Sequence, residues 1–433
     1  MTPADLPHRL AAELAERPPG ALAVAFSGGL DSTVLLHALA GLPAARARGL
    51  RALHVDHGLQ PASGAWATHC VASARALDLD CRVLDAHVAR DGRGLEDAAR
   101  QARYGALAQE LGAGETLVLA QHRDDQAETI LLKLLRGAGP EGLGGMRAAR
   151  ACGAGTLWRP LLDVPRAALS AYAAAHALTW IDDPSNADPA LRRNFLRAEI
   201  LPRLATQWPD APAALAHSAT WARAAADFIE SEAAKALAAL QGLDPATLHW
   251  RGWLALPAAL RDPVLRAWLR ALGRDEPAHF HVRELERQLA HAAADRNPCV
   301  AWAGTEVRRY RESIHALRAR PAPDANWRAA WDSAPFALPG GGRLAFDQAA
   351  PTAPLHLTLA FRRGGERLKP AGAAHSRELR LLLQECGLPP WQRARLPLVY
   401  AGDELIAAAD LVLSARAEEL CAEVGARWTW HDD

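Results

Sequence analysis

Short apolar runs alternate with helically spaced apolar positions over the first third of the chain. Ala21–Phe26, Leu50–Gly58, Cys81–Leu84 and Thr116–His122 open as brief hydrophobic stretches, the pattern of strands buried on both faces. Each is followed by a segment of helical period: Thr33–Ala40, Ala65–Leu77, Gly94–Tyr104 and Arg123–Gly137. Strands that alternate with helices predict an α/β fold with a doubly wound, mainly parallel, Rossmann-like sheet. Met1–Gly20 reads as a helix before the first strand, closed by Pro18-Pro19-Gly20.

From Pro212 the pattern changes to Ala, Leu, Arg and Trp at helical spacing. Ala214–Leu240, Leu254–Leu272 and Val282–Ala293 are expected helices, with Pro263 breaking the second into two pieces. Val300–Trp302 and Glu306–Arg311 form an expected hairpin around Gly304. Arg318–Gly342 is rich in Pro, Ala and Gly and reads as a linker. The expected organisation is a catalytic domain over 1–211, a mainly helical domain over 212–317, a linker over 318–350 and a small α+β domain over 351–433.

Composition narrows the function classes. A chain of 433 residues, half of them hydrophobic, is too long for one ordinary core and implies two or three domains. Lys plus Arg and Asp plus Glu balance at 49 each, so any contact with nucleic acid must come from a local patch. One exists: Phe361–Tyr400 holds eight Lys or Arg against three acids, and Arg362, Arg363, Arg377, Arg380, Trp391, Arg393 and Arg395 are the candidate RNA-gripping residues. Six cysteines without a C-x-x-C spacing argue against a structural zinc site or a disulfide framework. With no signal peptide or long apolar span, a soluble cytoplasmic protein is expected, with no membrane contact.

The chemistry sits where strands end. After the first strand comes Ser27-Gly28-Gly29-Leu30-Asp31-Ser32, opening a helix. Two glycines admit a close ligand, and a helix N-terminus aims unpaired N–H groups at it, which makes a phosphate cradle. It lacks the Lys of a Walker loop. Asp31 suits a Mg²⁺ ion shared with phosphate oxygens. Asp56 and His57 end the second strand, where open α/β sheets bind ligands, though both could equally serve nearby backbone. Glu96, Arg100, Arg103 and Tyr104 share one helix face. His122, Asp125 and Glu128 gather at the fourth strand's end, where a metal or an amine substrate would explain them. Arg193 and Arg197 are four apart, placed to hold a phosphate or a carboxylate. Gly137–Gly145 is expected to order on substrate binding.

The S-G-G-x-D-S loop resembles the pyrophosphate loop of the N-type ATP pyrophosphatases. Taken with H-V-D-H-G-L (54–59), A-Q-H-R-D-D-Q-A-E-T (120–129), R-P-L-L (159–162), W-I-D-D-P-S-N (180–186) and R-R-N-F-L-R (192–197), almost the whole chain resembles the tRNA(Ile)-lysidine synthetase family. The resemblance implies ATP-dependent ligation of free L-lysine to carbon 2 of the wobble cytidine of a tRNA(Ile) with a CAU anticodon. Codon reading thereby moves from AUG to AUA and charging from Met to Ile. It implies ATP held by residues 27–32, Mg²⁺ through Asp31, and α-phosphate neutralisation by Arg103 or Arg193. Asp125 and Glu128 then serve the lysine, with His122 as proton relay and Arg100 and Arg197 near the lysine and cytidine. The basic tail resembles the domain that contacts the tRNA acceptor stem. A monomer or homodimer is expected. The alternatives are a tRNA thiolase of the same fold, an amino-acid or ammonia ligase such as an NAD or GMP synthetase, and a tRNA-binding protein with a dead loop.

Overall fold

The computed structural model describes the chain apart from residues 1, 3, 57, 59–62, 87–94, 185–187, 189–190, 294–295, 349–354 and 433, and apart from the side chains of 95–97. The chain divides into two units, Met1–Ser231 and Glu232–Asp433.

In the first unit the chain runs α1 (Asp5–Ala15), β1 (Leu22–Ala25), α2 (Leu30–Ala40), α3 (Pro43–Ala47), β2 (Leu50–Asp56), α4 (Ser63–Arg75), β3 (Cys81–Asp85), α5 (Leu95–Glu110), β4 (Thr116–Val118), α6 (Arg123–Leu134), α7 (Pro140–Leu143), β5 (Ala149–Cys152), β6 (Gly155–Trp158) and α8 (Arg166–Ala175). The sheet order is β3-β2-β1-β4-β6-β5. All neighbours are parallel except β5, which pairs antiparallel with β6. The all-apolar Leu22-Ala-Val-Ala25 takes the centre, with Val24 between Ala52 and Val118.

Helices cover both faces. Leu6, Leu10 and Leu14 recur every fourth residue and put one stripe of α1 into the core around α2. Each such leucine contributes about 1.5–3 kcal/mol on burial. Helix α2 is buried nearly all round because α1 and α8 both lie against it. On the other face Ala23, Leu53, Leu117 and Leu157 of the sheet meet Leu107 and Leu111. This is the doubly wound arrangement, and it brings residues 27–32 and 119–123 to the carboxyl edge of adjacent strands.

The first unit continues through α9 (Arg192–Phe195), a π-helical turn (Leu196–Ile200) and α10 (Leu201–Gln207), and α11 (Ala211–Leu240) spans the division between the units. In the second unit follow β7 (Thr247–His249), α12 (Trp250–Ala255), α13 (Ala258–Ala271), α14 (His279–His291), β8 (Cys299–Trp302), β9 (Thr305–Tyr310) and β10 (Ser313–Arg318). Strands β8 and β9 are the expected hairpin, within an antiparallel sheet of order β7-β10-β9-β8. Helix α13 runs unbroken through Pro263; the break falls instead before Ala258, at Leu256-Pro257. Trp253, Trp268, Leu265 and Leu285 fill the core against Val307 and Ile314.

Residues 318–350 are not a bare linker. They carry β11 (Arg328–Trp331), β12 (Phe336–Ala337) and β13 (Arg343–Phe346). Their partners come later: β14 (Leu357–Ala360), β15 (Arg367–Leu368), β16 (Arg377–Glu378), α15 (Leu379–Glu385), α16 (Pro390–Arg393), β17 (Leu398–Ala401), β18 (Glu404–Ala408), β19 (Val412–Leu413), α17 (Ala415–Val424) and β20 (Trp428–His431). β11 pairs with β14, and β13 with β20. Trp331, Leu338 and Leu344 are buried with Trp428 in one cluster, so the stretch belongs to the last domain's core. Its Pro and Gly residues occupy turns and mask this spaced apolar set.

Candidate active site

The loop between β1 and α2 is shaped by its neighbours. Gly28 has φ +80°, and a Cβ there would lie 2.9 Å from Cys70 Sγ and 3.1 Å from Ile181 Cδ1. Its carbonyl accepts the Ile181 N–H at 2.8 Å, tying the loop to the segment before Asp182. Gly29 caps α2 without a side-chain hydrogen bond, which leaves the first amides of the helix for a ligand. Ser32 Oγ donates to Gly29 O at 3.0 Å and lies 3.1 Å from Ser27 Oγ. One step behind, buried His54 sets its Nδ1 2.9 Å from Phe26 O. Gly28→Ala is therefore expected to cost about 1–3 kcal/mol from the positive φ and the crowding, and to weaken ATP binding further. Urea denaturation and nucleotide titration read the two effects; an unchanged midpoint would show the loop to be plastic.

Asp31 faces His122, beyond the end of β4. His122 is fully buried, with Nε2 3.5 Å from both Asp31 Oδ2 and Asp125 Oδ2, too far for good hydrogen bonds. Its Nδ1 accepts the Asp125 N–H at 3.4 Å, while Asp125 Oδ2 accepts the His122 N–H at 3.1 Å, a reciprocal cap that starts α6. That cap puts the proton of the neutral ring on Nε2. Burial opposes charge on the ring, but the carboxylates of Asp31, Asp125 and Asp124 outweigh it and raise its pKa above the ordinary value. Asp124 Oδ2 accepts the Arg166 N–H at 3.0 Å, and Arg166 Nε lies 3.8 Å from Asp31 Oδ1. Arg166, at the start of α8 after Pro165, is a site residue that sequence reasoning missed; Pro-Arg at a helix start was its only signal. Asp31 Oδ1 is buried without a hydrogen-bond partner. No group of three or more His, Cys, Asp or Glu residues that could hold a metal exists among the described residues. A divalent ion here would rest on one carboxylate and on phosphate oxygens, as Mg²⁺ does.

The third part is an ion cluster. Glu128 is completely buried and takes a two-point contact from Arg197, Nε to Oε1 at 2.7 Å and Nη2 to Oε2 at 3.2 Å. Arg197 Nη2 also donates to Asp125 Oδ1 at 3.0 Å. Burial raises the pKa of Glu128 although Arg197 opposes it. Arg193 sits in α9, and Arg197 in the π-helical turn that ends at Leu201-Pro202; Pro202 has no amide proton to give the preceding turn. Arg103 is exposed at its surface yet crowded, and burial among its neighbours, then the Arg100 and Arg193 charges, lowers its pKa. Arg100 and Arg193 both act on Arg103, and Arg193 also on Glu128.

Other expected residues have local roles. Asp56 Oδ1 accepts the Gly58 N–H at 2.8 Å, a turn contact at the end of β2. His57 lies outside the described residues. Gly137–Gly145, expected to order on binding, already contains α7 and is pinned: Arg223 Nη2 donates to Gly144 O and Gly145 O at 2.5 and 2.6 Å.

The tail cations are mostly engaged within the protein. Arg362 pairs with Glu366 and Arg377 with Glu385; Arg363 donates to Ala325 O and Arg395 to Gly340 O and Pro321 O. Arg393 donates to the Tyr310 hydroxyl at 3.0 Å, and Trp391 meets Tyr310 and His315 edge-on. Arg380, 3.9 Å from Glu378, keeps 68% of its side chain exposed. Trp391 thus packs against β9 and β10 rather than standing free.

Comparison with known proteins covers all these regions. Residues 4–204 match the PP-loop domain model, 248–315 the TilS substrate binding domain and 357–430 the TilS substrate C-terminal domain. A curated tRNA(Ile)-lysidine synthase from Xanthomonas campestris pv. campestris (strain 8004) is 45% identical over 95% of both chains. Those from Alkalilimnicola ehrlichii and Pseudomonas aeruginosa are 45% and 46% identical, covering 96% and 95% of this chain and 95% and 94% of their own. With its loop, its strand-end cluster and its later domains all matched in order, the chain belongs to the tRNA(Ile)-lysidine synthase family.

Proposed function

We propose that this chain uses ATP and Mg²⁺ to join free L-lysine to carbon 2 of the wobble cytidine of tRNA(Ile) with a CAU anticodon. The observation that carries the reading is that Asp31 and Asp125 lie equally close to one buried imidazole nitrogen. A nucleotide-side carboxylate and an amine-side carboxylate thereby meet where two substrates must meet.

The first step is attack of the cytosine carbonyl oxygen on the α-phosphate, with pyrophosphate leaving into the residue 27–32 loop. Arg103 or Arg193 neutralises charge on the α-phosphate. A Mg²⁺ ion on Asp31 supplies further neutralisation when bound. In the second step the lysine ε-nitrogen attacks carbon 2, and AMP leaves with the former carbonyl oxygen. The amine must shed a proton, because its ordinary pKa is ~10.4. Asp125 binds the incoming ammonium and takes its proton; the Nε2–H of His122, 3.5 Å from both Asp125 and Asp31, is placed to hand its own proton to Asp31 and be reprotonated from Asp125. Arg197 holds Asp125 and Glu128 in place.

The thiolase alternative needs a reactive thiol. Of the three cysteines in the first unit, Cys152 is buried, and burial pushes Cys70 up to about 12 and Cys81 up to about 11, which suppresses the thiolate in those two.

The test is incorporation of labelled lysine into tRNA, with and without ATP. Asp125→Asn keeps an oxygen for the helix cap and removes the charge. It is expected to raise the lysine KM about tenfold or more and to let adenylated tRNA accumulate. Loss of pyrophosphate release instead would move Asp125 to the nucleotide step and refute its lysine role.

A further inference from the structure

Beside the strand-end cluster, but not part of it, lies a cavity of about 490 Å³ that the mechanism above does not use. Lys133, Arg147, Arg150, Arg159 and Arg223 line it, against one acid, Glu141. Arg159 is 5% exposed, and among the described residues no carboxylate lies within ion-pairing distance of it. Its guanidinium is met only by neutral acceptors: the Gln121 amide oxygen, Arg147 O at 2.8 Å and the Tyr104 hydroxyl at 3.4 Å. A buried cation without a counter-charge is costly unless an anion arrives. Arg223, likewise, donates its hydrogen bonds to the carbonyls of Gly144 and Gly145. The rim residues differ: Arg147 is matched by Asp227 at 2.6 Å, while Lys133 and Arg150 are exposed without an ion pair among the described residues.

The wall is built to stay open. Gln126 holds Met146 at both amide ends, Nε2 to Met146 O at 3.0 Å and Oε1 from Met146 N at 2.7 Å. Gly145, at φ +62°, lets that amide come so near that a Cβ would sit 2.7 Å from Gln126 Oε1. We propose that this cavity holds a backbone phosphate of the substrate RNA next to the nucleotide being modified, separately from the ATP loop. The link is short, one hydrogen bond and one peptide bond. Arg159 bonds Gln121, and Gln121 precedes His122 in the chain. A phosphodiester bound by Arg159 lies just behind the reacting base, and the exposed Lys133 and Arg150 let a polymer continue past the rim. A volume in the ordinary ligand range accommodates a phosphate with its sugar. The inference rests on RNA being the substrate.

The experiment compares the full chain with the Lys133→Glu/Arg150→Glu double variant, titrating unmodified tRNA(Ile) transcript across KCl concentrations. The expected result is weaker tRNA binding and a salt dependence flattened by about 0.7–0.9 per lost phosphate contact. ATP affinity should stay at the wild-type value, as should lysine incorporation at saturating tRNA. Arg150→Lys should restore most of the slope. Unchanged tRNA affinity and slope overturn the proposal. So does a loss of ATP or inorganic pyrophosphate affinity at unchanged tRNA affinity, which would make the cavity a second nucleotide-phosphate site. If the double variant melts early, Lys133→Ala, at an exposed position, is read by the same titration. Failure of lysine incorporation in the wild-type chain would instead strike the function itself, so the two refutations are distinct.

Discussion

Asp31→Ala abolishes pyrophosphate release, with an expected fall of about 10³-fold or more, while tRNA affinity stays near the wild-type value. The size follows from what the side chain does. Its Oδ1 is a buried anionic oxygen with no hydrogen-bond partner, at the start of a helix whose first amides have no side-chain cap. Among the described residues the nearest cation to that oxygen is Arg166, whose Nε is 3.8 Å away and makes no hydrogen bond to it. Its Oδ2 is also one of the carboxylates that favour a charged His122. On the proposed mechanism the chemistry of both substrates passes this point, so both steps should suffer, the first more. Asp31→Asn keeps the shape and isolates the charge. Quench-flow measurement of adenylated tRNA decides the matter: a near wild-type rate in Asp31→Ala would reduce Asp31 to a favourable acid in a helix's first turn.

Arg197→Ala should be the most destabilising single change in the cluster, and the loss should depend on pH. Glu128 has no exposed surface, and Arg197 is its two-point partner. Removing one partner of an enclosed ion pair costs about 3–5 kcal/mol. Here about 2–3 is expected, because the Arg197 side chain is itself 37% exposed and solvent screens part of the interaction. Burial already raises the pKa of Glu128 in the folded state, and loss of the cation raises it further. The folded state then holds that proton more tightly than the unfolded chain does. The resulting stabilisation is complete below the unfolded carboxyl value of ~4.3 and is lost as pH rises through the folded value. Arg197→Ala should therefore lose least stability at pH 5 and most at pH 8, and adding Glu128→Gln should recover much of the loss. Urea midpoints at the two pH values test this; a pH-independent loss would mean that packing, not charge, is what Arg197 supplies.

What the sequence disclosed depended on whether a residue acts locally. The loop 27–32 and the strand ends were legible because small polar residues wedged between an apolar run and a helical period mark a strand-to-helix turn that can cradle a ligand. Glu128 was legible as an acid in excess of what a helix cap needs; Asp125 serves the cap and contacts Arg197 as well, which no local pattern marks. Arg166 was not legible, since it reaches Asp31 across more than a hundred residues, and no local rule marks such a contact. In the tail, the net charge over Phe361–Tyr400 did not disclose that Arg393 and Arg395 also bond Tyr310 and backbone carbonyls, neutral acceptors that leave both charges in place. The strands within 318–350 were hidden by their brevity: two to four residues each, with partners far along the chain.

The π-helical turn at Leu196–Ile200 has a further consequence, for how the site can change by gain or loss of residues. Such a turn accommodates one residue more than the α-helix around it. Deleting Leu196 would return the helix to regular bonding and bring Arg197 from four residues after Arg193 to three, a step of about 100° round the helix. The spacing of Arg193 and Arg197, and with it the grip on Asp125 and Glu128, is therefore sensitive to chain length at this point. A one-residue deletion, which preserves every side chain of the cluster, could disarm it as thoroughly as replacing one of them.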